Sequence, residues 1–142
     1  MLKQIKIKSV LFLFLVLTLT SCAGTGSNYK PTISNESQGG SSNLYFVRQG
    51  GFIASGVLAK LEVNGVEIGK IGVKEYINHK TSRNFKVDVS GSGLGGIGMG
   101  GDSTSGVANG KNYFYIIGVK QGLFSTKFTI NETTESGFNQ AK

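Results

Sequence analysis

The chain has 142 residues, which is enough for one small domain once a targeting segment is removed. Its 15 basic and 8 acidic residues give a net charge of +7, and its basic residues are scattered, a distribution that does not favour nucleic-acid binding. The single cysteine, Cys22, excludes a disulfide within the chain, so the fold must be stabilised by its core.

The first 22 residues have the pattern of a bacterial lipoprotein signal peptide. Lysines precede an apolar run, Val10–Leu17, which is shorter than the roughly 20 residues that span a bilayer as a helix. The run leads to Leu19-Thr20-Ser21-Cys22, where small residues stand directly before the only thiol. This pattern predicts a signal peptide over residues 1–21, cleavage between Ser21 and Cys22, and lipidation of Cys22. An uncleaved signal anchor is the alternative.

Lipidation of Cys22 predicts a location in the bacterial cell envelope. Two or three acyl chains anchor a protein stably, whereas one chain alone holds it weakly. Ala23 stands where an aspartate retains many lipoproteins in the inner membrane, so the outer membrane is expected. The predicted partners are the membrane, through the lipid on Cys22, and an envelope protein or polysaccharide; no nucleic acid is expected.

Residues 22–42 are small and polar, and they include the only proline of the chain. Such a composition cannot bury enough apolar surface to fold, so a flexible linker is predicted there. Residues 43–142 are predicted to form one domain. Removal of residues 1–21 leaves 12 basic and 8 acidic residues, a mild net charge of +4.

From Asn43 onward, apolar residues recur with a period of two, which indicates β-strands. About seven short strands separated by glycine-containing turns predict an all-β fold, a single antiparallel sandwich. The clearest segments are Leu44–Arg48, Phe85–Val89, Tyr113–Ile117 and Phe124–Ile130. The residues after Glu132 fit either a last strand or one helical turn.

A hairpin is predicted around Asn64–Gly65, because a type I′ turn needs positive φ at both central positions. In this register Val63 lies opposite Val66, and Leu61 lies opposite Ile68.

Three segments carry a family resemblance: Leu44–Arg48, the hairpin segment Leu61–Ile71 with Tyr76 after it, and Asn109–Phe114. Together they resemble an uncharacterised family of small bacterial lipoproteins with a transthyretin-like or surface-repeat-like β-sandwich domain. The resemblance covers residues 43–142 and implies a sandwich fold, and the family has no established activity. The chain departs from the family pattern at Gln49, which replaces a proline, and over residues 91–110, which replace a short turn and a polar strand.

The stretch Ser90–Gly101 is rich in glycine and has no charged residue. We expect a mobile connection between strands; a ribbon that contacts another surface and a lipid-dipping tip are the alternatives, with Leu94, Ile97 and Met99 as contact residues. The stretch matches the dinucleotide fingerprint but lacks the strand, turn and helix that the fingerprint requires. No cofactor is therefore predicted.

Candidates for catalysis are few. His79 is the only histidine, and Glu75 and Asp88 are its possible partners, but the chain lacks a serine in a nucleophile elbow. We expect His79 to be a solvated turn residue, and we predict no metal site. Four tyrosines would form either a carbohydrate-binding face or, as we expect, packing contacts: Tyr45, Tyr76, Tyr113 and Tyr115.

These patterns together predict a lipid-anchored, non-enzymatic binding or structural module. The alternative is an accessory subunit of an envelope assembly that uses the glycine-rich loop as its contact. An envelope hydrolase has the least support from the residues.

Overall fold

The computed structural model describes residues 24–37 and 39–141, so the predicted signal peptide, Ser21 and Cys22 lie outside the described residues. Within these ranges, no helix has the length and hydropathy needed to cross a membrane. The chain forms eight strands and a short helix, in this order: β1 (Ser42–Arg48), β2 (Leu58–Val63), β3 (Val66–Ile71), β4 (Tyr76–Thr81), β5 (Phe85–Ser92), β6 (Asp102–Gly106), β7 (Asn112–Gln121), β8 (Thr126–Thr133) and α1 (Glu135–Gln140).

The strands form two sheets of four, with the orders β4-β1-β7-β8 and β3-β2-β5-β6. The predicted all-β sandwich is thus confirmed, with two corrections. The strand β6 lies after the connection expected over Ser90–Gly101, and no strand was predicted there because its Asp, Ser, Thr and Gly residues give no apolar alternation. In addition, β1 pairs with β7 in parallel, while the other pairs are antiparallel as expected.

The connections between strands divide between the two ends of the sandwich. Residues 49–57, 72–75, 93–101 and 122–125 join strands at one end, which we call the tip end. Residues 64–65, 82–84 and 107–111 join strands at the opposite end, which we call the far end. The two ends differ in composition, because the far end carries mainly polar turns whereas the tip end carries apolar loops.

The main core lies between the two sheets and receives side chains from both. Phe46 and Tyr115 are register partners on β1 and β7, and their rings stack with centroids 5.4 Å apart. The alternation predicted for β5 is confirmed, because Phe85, Val87 and Val89 are buried in this core. Burial of these side chains is the main favourable term in the stability of the fold.

A second, smaller cluster covers the outer face of the first sheet, under α1. Phe138 of the helix is fully buried and packs against three rings, those of Tyr45, Tyr76 and Phe114, with centroids 5.4–6.2 Å away. The hydroxyl of Thr134 caps the helix by accepting from the backbone N–H of Gly137. The central strands are therefore buried on both faces, which explains why β1 and β7 have apolar residues at consecutive positions.

The predicted hairpin is confirmed, since Asn64 and Gly65 have φ values of 51° and 79°. Val63 lies opposite Val66 as expected, but Leu61 lies opposite Gly69 and not Ile68, because a β-bulge shifts the register between Leu61 and Glu62. Thr25 packs so close to Gly69 that a Cβ there would collide with its hydroxyl. A residue far away in the sequence thus packs against the shifted part of the hairpin.

The described part of the predicted linker lies along the domain from the tip end to the far end. Thr25 donates its backbone N–H to Lys70 O at 2.9 Å, and Ser27 exchanges backbone hydrogen bonds with Tyr76. Further along, the N–H of Ser34 donates to the Tyr45 hydroxyl and that of Ser37 donates to Gly110 O, each at 2.9 Å. The segment therefore packs on the sandwich instead of extending away from it.

Two buried tyrosine hydroxyls, those of Tyr115 and Tyr45, differ in their hydrogen bonding and allow a matched test of its effect on stability. Within the described residues, Tyr115 Oη is buried without a hydrogen-bond partner, whereas the hydroxyl of Tyr45 accepts from Ser34. Burial raises the pKa of Tyr115, and the Glu132 carboxylate raises that pKa further.

We expect Tyr115→Phe to stabilise the protein by about 1 kcal/mol, because it removes a polar group that is desolvated without a partner. Tyr45→Phe should destabilise it by about 1 kcal/mol, because it removes a hydrogen bond. Urea denaturation of both variants measures these changes. Equal losses of stability in the two variants would contradict the unpartnered state of Tyr115.

Candidate functional site

Three of the four connections at the tip end are uncharged and apolar. We call residues 49–57, 93–101 and 122–125 together the apolar tip; none of these residues is charged. Among the described residues nine large hydrophobic side chains are exposed, and six of them belong to the apolar tip: Phe52, Ile53, Leu94, Ile97, Leu123 and Phe124. Five of the six have exposed fractions of 75–95%. Contiguous exposed apolar patches mark interaction sites.

The three segments of the apolar tip lie against one another or against a shared strand. A Cβ on Gly95 would lie 3.1 Å from Val57, which places the second segment against the first. Gly100 donates its N–H to Thr126 O at 3.0 Å and accepts from the N–H of Phe128 at 2.9 Å, which places the second segment against the start of β8. The second segment therefore contacts both the first segment and the strand that follows the third segment.

Arg48 fixes the first segment of the apolar tip from below. Its guanidinium is fully buried and donates to Ala54 O at 2.7 Å, to Ile71 O at 3.2 Å and to Val57 O. It also lies 5.0 Å from the centroid of the Phe128 ring. Burial lowers the pKa of Arg48, and the Glu75 carboxylate partly opposes this shift. The side chain thus has a structural role, because its donors bind backbone carbonyls instead of a ligand.

The second segment is ordered by close contacts between glycines. A Cβ on Gly91 would lie 2.8 Å from Gly96 O, so the backbone approach requires glycine at this point. A single 3-10 turn, Leu94–Gly96, follows β5. The three predicted contact residues differ in exposure: Leu94 and Ile97 are exposed, whereas Met99 packs against the main core.

The third segment is the turn between β7 and β8, closed by the N–H of Gly122 donating to Ser125 O at 2.7 Å. Leu123 and Phe124 are exposed by 89% and 94%. The expectation that Phe124 is a buried strand residue is therefore wrong, since β8 begins two residues later, at Thr126. Phe128 and Ile130 are buried as predicted.

A shallow pocket lies beside Arg48, between the first segment and β7. It has a volume of about 150 Å³, and its lining includes Phe52, Ile53, Val73 and Val119. Small-molecule sites usually have volumes of about 300–1,000 Å³. The pocket therefore suits an interface between surfaces better than the enclosure of a substrate.

Three exposed lysines lie beside the apolar tip. Lys120 and Lys127 are register partners at the ends of β7 and β8, and Lys74 lies in the turn between β3 and β4. Two acidic residues are near: Glu75, whose carboxylate accepts from Gly72 N–H at 2.6 Å, and Asp102, whose carboxylate accepts from Ser103 N–H at 3.0 Å. The rim of the tip thus combines exposed ammonium groups with carboxylates that have backbone partners.

The described chain reaches the domain at the same end. A Cβ on Gly24 would lie 3.3 Å from Leu58, the first residue of β2, and 3.4 Å from the Glu75 carboxylate. Cys22, the predicted lipidation site, precedes Gly24 by two residues. The described chain therefore begins at the tip end.

His79 lies on β4, not in the expected turn, and it is half-buried opposite Leu44. Within the described residues it makes no hydrogen bond or ion pair with Glu75 or Asp88, which belong to other elements. Burial lowers the pKa of His79 below its usual value of 6.5. In the described part of the chain, no three His, Cys, Asp or Glu residues are close enough together to hold a metal ion.

Three of the four tyrosines proposed for a carbohydrate-binding face, Tyr45, Tyr76 and Tyr115, are buried. Tyr113 is partly buried and packs edge-on to Phe85 with centroids 5.2 Å apart. These rings are packing residues, as expected.

Sequence reasoning placed a contact surface only in the glycine-rich loop, and it missed the first and third segments of the tip. The signal that could have found them is shared by all three segments: large apolar residues flanked by glycine, with no charged residue inside the segment. The role of Arg48 had no local signal, since its acceptors are carbonyls of residues 54, 57 and 71.

Compared with protein-family models, curated proteins and solved structures, the chain shows no significant match. The family resemblance described above therefore stays a prediction.

We expect Arg48→Met to destabilise the protein by about 3 kcal/mol or more, because it leaves several buried carbonyls without donors. Lys74→Met removes a positive charge from an exposed position at the same end and should change stability by less than about 0.5 kcal/mol. Urea denaturation compares the two variants. Similar stability in both would show that the guanidinium does not hold the first segment.

The lowered pKa of His79 predicts a pH dependence of stability. The unfolded chain binds a proton at this residue more readily than the folded chain does, so stability falls as the pH drops below the usual histidine pKa of 6.5. His79→Gln should reduce this fall, while the carboxylates still titrate at lower pH. Thermal unfolding at about pH 7.5 and about pH 5.5, on either side of that pKa, measures the difference. An unchanged pH dependence in the variant would contradict the burial of the imidazole.

Proposed function

We propose that the protein is a lipid-anchored lipoprotein of the bacterial cell envelope, whose β-sandwich is a non-catalytic binding or structural module. The observation that carries the proposal is the position of Gly24. The chain joins the sandwich beside the apolar tip, two residues after the predicted lipidation site. An acyl group on Cys22 would therefore hold the exposed apolar surface next to the membrane.

The proposal assigns binding to the apolar tip and no chemical step to any residue. The tip presents apolar side chains without a charged group, and the donors of the nearby Arg48 are bound to backbone carbonyls. The pocket beside Arg48, with a volume of about 150 Å³, is smaller than usual small-molecule sites, which also supports a surface contact. By the sorting rule for Ala23, we place the protein in the outer membrane.

A second candidate is an accessory subunit of an envelope assembly, with residues 93–101 as its contact. The exposure of Leu94 and Ile97, 89% and 75%, supports this alternative. In that case the partner would be a protein surface with an apolar recess, and it would copurify with the protein after the membrane is solubilised.

Cys22→Ser tests the anchor. The variant lacks the only thiol, so cells fed labelled fatty acid should show no label in the protein, and the peptide before residue 22 should stay attached. Ala23→Asp is the matched control: it should keep the label and move the protein to the inner-membrane fraction. Fatty-acid label on the Cys22→Ser protein would refute the proposed function.

A further inference from the structure

We infer that the apolar tip inserts into the interfacial region of a bilayer that contains anionic lipid, so that the domain stands on the membrane with its tip end down. The inference deepens the proposed function and rests on it for the anchor. The affinity of the tip for lipid is a separate property, because it depends on residues 49–57, 93–101 and 122–125 and not on Cys22.

The first support is the kind of side chain that the tip exposes. Phe52 and Phe124 are exposed by 95% and 94%, and Leu94 and Leu123 by 89% each. These side chains belong to loops without a charged residue, so their insertion would not transfer a charged side chain out of water. Aromatic and leucine side chains on an apolar face are the usual means by which peripheral proteins enter the boundary between headgroups and acyl chains.

The second support is the charge around the tip. Lys74, Lys120 and Lys127 are exposed at its rim, where their ammonium groups can meet phosphate while their carbon stems lie along apolar surface. The neighbouring carboxylates of Glu75 and Asp102 accept backbone hydrogen bonds. Apolar side chains beside three exposed lysines match a bilayer whose surface is negative, because basic residues near such a surface are attracted to it.

The third support is the place from which the chain reaches Cys22. Two residues span at most about 7 Å, so a lipid on Cys22 keeps Gly24 close to the membrane surface. Gly24 lies beside Leu58 at the tip end, and hydrogen bonds from Thr25 and Ser27 fix the following residues to β3 and β4. The lipid on Cys22 would therefore keep the tip end, which carries the apolar loops, next to the membrane. A long free linker would not fix the orientation of the domain.

Two other occupants compete with lipid for the tip, a second copy of this chain and an envelope protein. Both would cover Phe124 with protein and not with lipid. The lipid occupant is preferred because the rim charge and the position of Gly24 both point to the membrane.

The test uses the absence of tryptophan from the chain. Phe124→Trp places one fluorophore on the apolar tip, and Val107→Trp places one on an exposed residue at the far end. Each lipidated variant is reconstituted into vesicles of phosphatidylcholine and phosphatidylglycerol, with or without bromine on the acyl chains. We expect brominated lipid to remove most of the emission of the Phe124→Trp protein and to leave that of the Val107→Trp protein unchanged.

A second arm separates the tip from the anchor. The described fold lies within residues 24–141, so the chain from residue 22 with Cys22→Ser retains it. This unlipidated chain should sediment with the anionic vesicles and not with vesicles of phosphatidylcholine alone. Leu94→Ser with Phe124→Ser should abolish sedimentation, whereas Val66→Ser with Val107→Ser, which changes exposed residues at the far end, should preserve it.

The outcomes are distinguishable. If the lipidated Phe124→Trp protein floats with the vesicles but its emission is not quenched, the tip does not meet lipid and the inference is overturned. The same holds if a photocrosslinker at position 124 captures only a second copy or another protein. If cells attach no lipid to Cys22 but the unlipidated chain still binds anionic vesicles through Leu94 and Phe124, the proposed function fails and the lipid-binding tip stands. Equal sedimentation of the tip and far-end serine variants also overturns the inference.

Discussion

A guanidinium buried at one end of the sandwich is the constraint on which the tip depends. Arg48 ends β1, and its donors bind carbonyls in the first loop and at the end of β3. Burying a charge is unfavourable unless hydrogen bonds compensate for lost water, so these carbonyls must stay in place for the arginine to stay buried. The backbone of Arg48 also contacts the turn between β3 and β4, because the backbone N–H of Lys74 donates to Arg48 O. One residue thus couples both sheets where the apolar loops begin.

The described N-terminal segment connects the tip end of the domain to its far end. It begins at Gly24 beside β2 and β3, runs along the sandwich and reaches Gly110 at the far end before the chain turns into β1. β1 then returns toward the tip end between β4 and β7, which is why its pairing with β7 is parallel. Because β1 is buried on both faces, the segment and the strand together tie the start of the described chain to the core.

The sequence could predict those elements whose signals are local. Alternation identified β5, and Asn64–Gly65 identified the hairpin, because both patterns depend on neighbours along the chain. The bulge between Leu61 and Glu62 had no local signal, and Thr25, which packs at Gly69 beside it, is distant in the sequence. The strand β6 lacks apolar alternation and forms only because β5 offers it a partner edge. Phe124 continued the alternation of β8 in sequence, but the tight turn at Gly122 places it in solvent.

Loops that expose large apolar side chains are costly for a protein that stays in water, because such surface favours aggregation. At the tip the cost is concentrated at one end, in loops fixed by Arg48 and by close glycine contacts. On the proposed function, the acyl chains on Cys22 supply most of the affinity for the membrane, because each buried methylene contributes about 0.8 kcal/mol. The tip then adds what a lipid cannot supply, a fixed orientation. With Phe52, Leu94 and Phe124 in the interface, the far end points away from the membrane, where a further partner can reach it.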